Sequence, residues 1–275
     1  MLSKLSIKQK LILIMLIPLI VVILLAAKLA VDSFSSSKNL QSLDNVVILS
    51  IKIGNLVHET QKERGMSAGF LGSKGEKFST ELLAQRLVVD EKQKEVNGFL
   101  TTFDKNAYSE EFLENLNNGL KKLQDLPNIR TGVSAFSINA VVAIDYYTDT
   151  NKLLLNVIAT ITKLSNSSAK VSQELVSYMN FLLSKERAGI ERAVGTNTFA
   201  KNSFGEGMKA KFYTLVAEQN AYMDAFLKVS SLTMSDFYKK TFQADSITEV
   251  EKMRKIALYS DLDSNFNIDA NVWFK

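Results

Sequence analysis

The sequence predicts an all-α protein, with one apolar helix at its start and long bundle-type helices after it. Two observations carry this. Only two prolines and twelve glycines occur in 275 residues, too few for the turn chemistry of a loop-rich β fold. Beyond residue 38, apolar side chains recur at spacings of three, four and seven, the stripe of helices that bury one face against each other. The chain is long enough for one large domain or two small ones with ample core.

The first element is the run "LILIMLIPLIVVILLAA", seventeen uncharged residues between Lys10 and Lys28. With Lys28 snorkelling and "LAV" beyond it, the stretch reaches the roughly 20 residues that cross a bilayer. It is read as a transmembrane helix over 11–31, after a cytoplasmic N-terminus at 1–10. Lys4, Lys8 and Lys10 precede it and Asp32 follows, so the positive-inside bias places residues 32–275 on the periplasmic side of the inner membrane. A cleaved signal peptide is the rival reading, with "LLAA" before Lys28 as its cleavage site.

The helices that follow are read in order. Leu43, Val46, Ile53 and Val57 form a seam within about 38–72. Leu82, Val89, Val96 and Phe103 stand at strict sevens, and a shorter run from about 109 ends before Pro127. From about 133 to 200, Tyr147, Leu154, Ile161, Leu175 and Leu182 share one heptad position; Val157, Leu164, Val171 and Tyr178 share another. That stretch is one helix, or two joined near "SNSS" at 165–168. Phe212, Leu215, Tyr222, Phe226 and Val229 make a further stripe, and a more polar segment from about 247 closes with "DANVWFK".

Composition excludes several functions. Without cysteine there is neither disulfide nor thiolate metal site, and one histidine, His58, leaves little for a histidine-based metal site or triad. No catalytic residue, metal ligand or cofactor is expected, and the protein is read as no enzyme. The formal charge of +4 resides in the four lysines of residues 1–31, which hold no acid, so residues 32–275 sum to zero. A basic face for nucleic acid is not expected.

Two residues break the stripes. Arg64 completes the position shared by Leu43, Val57 and Leu71, and the Val157–Tyr178 series continues by sevens into Lys185 and Arg192. The surrounding segments echo one another: "QKERGMSAGF" and "SKERAGIERAVG" each place Glu-Arg before a small residue. An arginine in a helix usually finds an acid three or four residues away. Arg187 has Glu191; Arg64 and Arg192 have none at any of these positions. Either an acid on another helix answers them, or something anionic accompanies them, because an unpaired buried charge costs several kcal/mol. A guanidinium is a planar donor fork matched to oxyanions, and two facing forks would enclose a small planar anion. Gly65, Ala68, Gly69, Ala188, Gly189 and Ala193 leave room for one, and Thr60, Ser67 and Thr196 offer supporting hydroxyls.

"ETQKERGMSAGFLGSKG" followed by "SKERAGIERAVGTNTFAKNSF" resembles the nitrate- and nitrite-sensing domain of bacterial receptors and antiterminators. The apolar start and the closing "WF" look like the front of a methyl-accepting chemotaxis receptor. The resemblance covers about 35–274 and implies two stacked antiparallel four-helix bundles sharing long helices. It implies nitrate or nitrite held between Arg64 and Arg192, with Arg187 outside the site. It further implies a membrane-anchored homodimer that drives transmembrane signalling or chemotaxis, through signalling machinery that requires an output domain. In a receptor, a second span, a HAMP-type linker and a signalling coiled coil would follow Lys275. The alternative is a helical-bundle sensor for another small anion or carboxylate, or for no small molecule.

Overall fold

The computed structural model describes residues 6–164, 169–243, 245–260 and 265–275. Within its helices it leaves out the side chains at 9–10, 12–14, 17–18, 35–43, 107, 161–164 and 169–171. The described residues are helical and contain no strand, as the stripes require. In order they form α1 (Ile7–Gly72), α2 (Ser79–Leu100), α3 (Glu110–Leu123), α4 (Leu126–Ser134), α5 (Ala140–Leu164), α6 (Ala169–Lys201), α7 (Met208–Val229), α8 (Leu232–Thr241), α9 (Asp245–Tyr259) and α10 (Ala270–Phe274). The expected joint at "SNSS" lies outside the described residues.

The membrane span expected at 11–31 is not upheld, and with it fall the inner-membrane location and the periplasmic placement of residues 32–275. Among the described residues no helix is long and apolar enough to cross a membrane. The uncharged run is seventeen residues between Lys10 and Lys28, at the short limit of what spans a hydrocarbon core. Nor is the run an element of its own, since it belongs to the 66-residue α1. The chain divides into two compact units, Met1–Val47 and Ile48–Lys275. In the first, the described apolar side chains from Leu19 to Leu25 stand exposed.

The second unit holds the core. Local chemistry sets its helix ends. Ser109 caps α3 by accepting from the Phe112 amide at 3.3 Å, with Glu110 and Glu111 in the first turn and Lys121 and Lys122 in the last, each complementing the helix dipole. Pro127 opens α4, where its missing N–H costs nothing. Ser231 caps α8 and Asp269 caps α10. The predicted stripes face inward. Leu82, Val89 and Val96 of α2 are buried, as are Tyr147, Leu154 and Val157 of α5, Leu182 of α6, and Phe212, Leu215 and Phe226 of α7. Phe103 is buried although it lies past the end of α2, stacked on Tyr108 with ring centroids 4.6 Å apart.

Packing joins α3 to α5, α5 to α6, α6 to α7, and α10 to α6. Leu154 is the contact that brings α5 onto α3: its Cδ2 lies 3.1 Å from where a Cβ on Gly119 would stand. A second core unites Ile190, Val194, Phe212, Met253, Phe266 and Trp273 from α6, α7, α9 and the C-terminal segment. Leu154 has no exposed surface, so Leu154→Ala should cost about 2–5 kcal/mol, measured as a lower urea midpoint with an unchanged slope.

Candidate functional site

The two Glu-Arg motifs lie on α1 and α6, and in each the glutamate and the arginine have separate duties. Glu63 is fully buried and is clamped by Arg130 of α4, whose Nε and Nη2 donate to its two oxygens at 2.7 and 2.9 Å. The Tyr147 hydroxyl adds a third bond at 2.7 Å. Burial, and then the Glu63 charge, hold that phenol well above its ordinary pKa. Burial opposes the charge on Arg130, but its bonds to Glu63 outweigh this and raise its pKa. The second motif repeats the arrangement. Glu191 accepts from Nε and Nη2 of Arg254 on α9, both at 2.6 Å, and from Gln219 at 3.0 Å. Each glutamate thus anchors its helix to an arginine 67 or 63 residues further along, leaving Arg64 and Arg192 for another purpose.

Arg64 has no exposed surface. The acid that the local sequence lacks comes from α6: Arg64 Nη1 donates to Glu186 at 2.6 Å and to Thr148 at 3.0 Å. Glu186 also accepts from Gln61 at 2.6 Å and from Asn151 at 3.4 Å. One carboxylate does not use up a guanidinium. The Nε and Nη2 of Arg64 are buried with no hydrogen-bond partner among the described residues. These two atoms form the side-on edge that receives a flat oxyanion bidentately.

Arg192 lacks a carboxylate partner among the described residues. Its Nε is buried and unpartnered, and its guanidinium lies 4.9 Å from the centre of the Phe274 ring. Burial, and then the charge of Arg64, depress its pKa to about 10, which leaves it charged at neutral pH. The two arginines are therefore near enough to repel. Arg192 opens onto a pocket of about 260 Å³ lined by His58, Gln61, Lys185, Gly189, Arg254 and Trp273 among others. Arg64 does not line it. Its Nη2 sits behind Gly189, 2.7 Å from where a Cβ would stand, so only glycine lets the guanidinium approach this wall.

The proposed supporting hydroxyls do not line this pocket. Thr60 donates to Asn151 at 2.6 Å, and Thr196 donates to the Arg192 carbonyl at 2.6 Å. Ser67 is buried close to the Tyr147 phenol. Arg187 does not line this pocket, and its acid is Glu218 at 2.8 Å rather than Glu191, which is held by Arg254.

Sequence reasoning missed Glu186, Thr148, Asn151 and the C-terminal cap. Glu186 lies four residues after Leu182 and four before Ile190, both buried, and that placement was its signal. Asn151 likewise sits between Tyr147 and Leu154 on their own stripe. The closing "NVWF" folds back onto the arginine. The Trp273 indole donates to the Arg192 carbonyl at 2.9 Å, its ring packs against Phe199 at 5.2 Å, and Phe274 packs edge-on against Phe78.

Together these features define a helical domain with half-satisfied buried guanidinium groups beside a cation-lined pocket. The chain belongs to the nitrate and nitrite sensing family, whose sequence model matches residues 55–275. A "Nitrate regulatory protein" of Klebsiella oxytoca is 25% identical over 251 residues, covering 89% of this chain and 62% of that protein. The chain thus spans less than two thirds of this curated relative. The solved structure of the NasR transcription antiterminator is similar with a TM-score of 0.79 and 24% identity, over 89% of this chain and 67% of that one. Neither name supports the chemotaxis-receptor half of the expectation. A relative called a transcription antiterminator also lends no support to the expected lack of a nucleic-acid partner.

Trp273 is the chain's single tryptophan, so its fluorescence reports on this site alone. A Cβ at position 195 would stand 2.5 Å from the indole, well inside van der Waals contact. Gly195→Val should expel the indole and red-shift its emission; an unchanged spectrum would contradict the packing described.

Proposed function

We propose that the domain binds nitrate or nitrite between Arg64 and Arg192. One observation carries the reading: the side-on edge of Arg64 and the Nε of Arg192 are buried donors without partners among the described residues, and unmade bonds of charged donors are costly. A planar anion supplies the missing acceptors. Glu186 keeps its bond to Arg64 Nη1 throughout, orienting the guanidinium and offsetting one charge. Another small anion or carboxylate is the alternative ligand, and family membership favours nitrate and nitrite.

The same reading takes the helices as two stacked four-helix bundles sharing long helices. The packing of α3 on α5 and of α7 on α6 supports it, as does the repeated clamp of Glu63 by Arg130 and Glu191 by Arg254. The domain is read as one that acts by binding, and the cations lining the pocket suit an anion. It works as a homodimer. Ligand removes the repulsion between the two arginines, and the two states differ in affinity by that amount, which is what lets an anion shift a conformational balance. Trp273 and Phe274, in contact with Arg192, carry the shift to the C-terminal segment.

Calorimetry against nitrate, nitrite, sulfate and acetate tests this. Arg192→Ala should abolish nitrate binding, and Arg64→Lys should lose most of it, since a point charge cannot reproduce the fork. Arg187→Ala should bind almost normally. Arg64→Ala is the poorer probe, because stranding Glu186 costs about 3–5 kcal/mol of stability. Equal damage from Arg187→Ala and Arg192→Ala would overturn the assignment.

A further inference from the structure

We propose that Lys185 is a further cation of the anion site, reaching the ligand from the pocket that it lines together with Arg192. This rests on the reading of Arg64 and Arg192 given above. Lys185 stands seven residues before Arg192 on α6, about 10 Å along the axis and on the same face, within converging reach of two long side chains. Both line the same pocket, together with His58.

The ammonium has nothing else to do. Among the described residues no carboxylate makes an ion pair with it. The acids nearest in charge are Glu59 and Glu186, and both are committed: Glu59 to Lys62 at 2.8 Å and Gln85 at 2.7 Å, Glu186 to Arg64 and Gln61. The charged and titratable groups around it are His58 and Glu59 on α1, Glu186, Glu191 and Arg192 on α6, Arg254 on α9, and Lys275 beyond α10. Arg254 is neutralised by Glu191. Arg64, Arg192 and Lys185, with Lys275 also lining the pocket, are thus set against Glu186, an excess that a bound monoanion reduces.

A lysine held this way titrates differently from one on the surface. Burial, and then the charge of Arg192, lower its pKa from the ordinary 10.5. Its charged form is the one that binds an anion, so affinity is complete below the lowered pKa and falls as pH rises through it. His58 is lowered too, by burial and then by Lys185, and its charge adds affinity only on the acid side of its ordinary 6.5.

The test is nitrate affinity of the full chain, wild type against Lys185→Gln and Lys185→Arg, from pH 6 to 9.5, with the melting temperature of each ligand-free protein. Lys185→Gln should weaken nitrate binding at least tenfold at pH 7 and raise the ligand-free melting temperature, because it removes a like charge beside Arg192. A residue with only a packing role would not move the two in opposite senses. Lys185→Arg should keep affinity and lose the alkaline decline, since a guanidinium stays charged. Nitrate binding by Lys185→Gln within twofold of wild type, or the same alkaline decline in all three proteins, overturns the proposal and leaves the arginine reading standing. A wild type that binds no nitrate overturns both.

Discussion

Arg64 is a permanent cation with no exposed surface, and the arrangement around it follows from the fact that one carboxylate cannot occupy its five donors. Glu186 and Thr148 take Nη1. Gly189 removes a side chain so that Nη2 can lie against α6. Gln61 and Asn151 hold the far oxygen of Glu186, which keeps the carboxylate from swinging round to the free edge. The result is a guanidinium fixed in orientation and only half used. Its second edge, Nε and Nη2, has no hydrogen-bond partner among the described residues, and an oxyanion is the species suited to it.

Holding two such arginines near each other needs anchors strong enough to withstand their repulsion. The neighbouring glutamates provide them. Glu63 with Arg130 and Glu191 with Arg254 are bidentate, buried or nearly so, the geometry in which breaking a pair is most destabilising. Placing the anchor one residue before the functional arginine turns it about 100° around the helix. One residue thus fastens the helix to its neighbour while the next faces the site. That division of labour gives a physical meaning to the Glu-Arg dipeptide in both motifs, which otherwise looks like an ordinary solvated pair.

The helical class, the buried stripes and the lack of a local acid for Arg64 and Arg192 were legible in the sequence because they rest on period and on local charge pairing. Val89, Leu154 and Phe212 lie where spacing put them. What was not legible depends on contacts between distant segments. The partner of Arg64 is 122 residues away, and no local rule points to it. The Thr196 hydroxyl donates to its own helix, the common fate of a helical threonine. The apolar run at 11–27 misled by composition, since its hydropathy suggested a span and no helix among the described residues is long and apolar enough to cross a membrane. Trp273 and Phe274 cover Arg192, the indole on its carbonyl and the phenyl ring beside a guanidinium that has no carboxylate partner among the described residues.

The most direct measurement is a crystal structure of the full chain grown with nitrate. The account predicts planar density joined to Nε and Nη2 of Arg64 on one side and to Arg192 on the other, with Glu186 still bonded to Nη1 of Arg64. Density that displaces Glu186 from Arg64, or that lies away from Arg192, would contradict it.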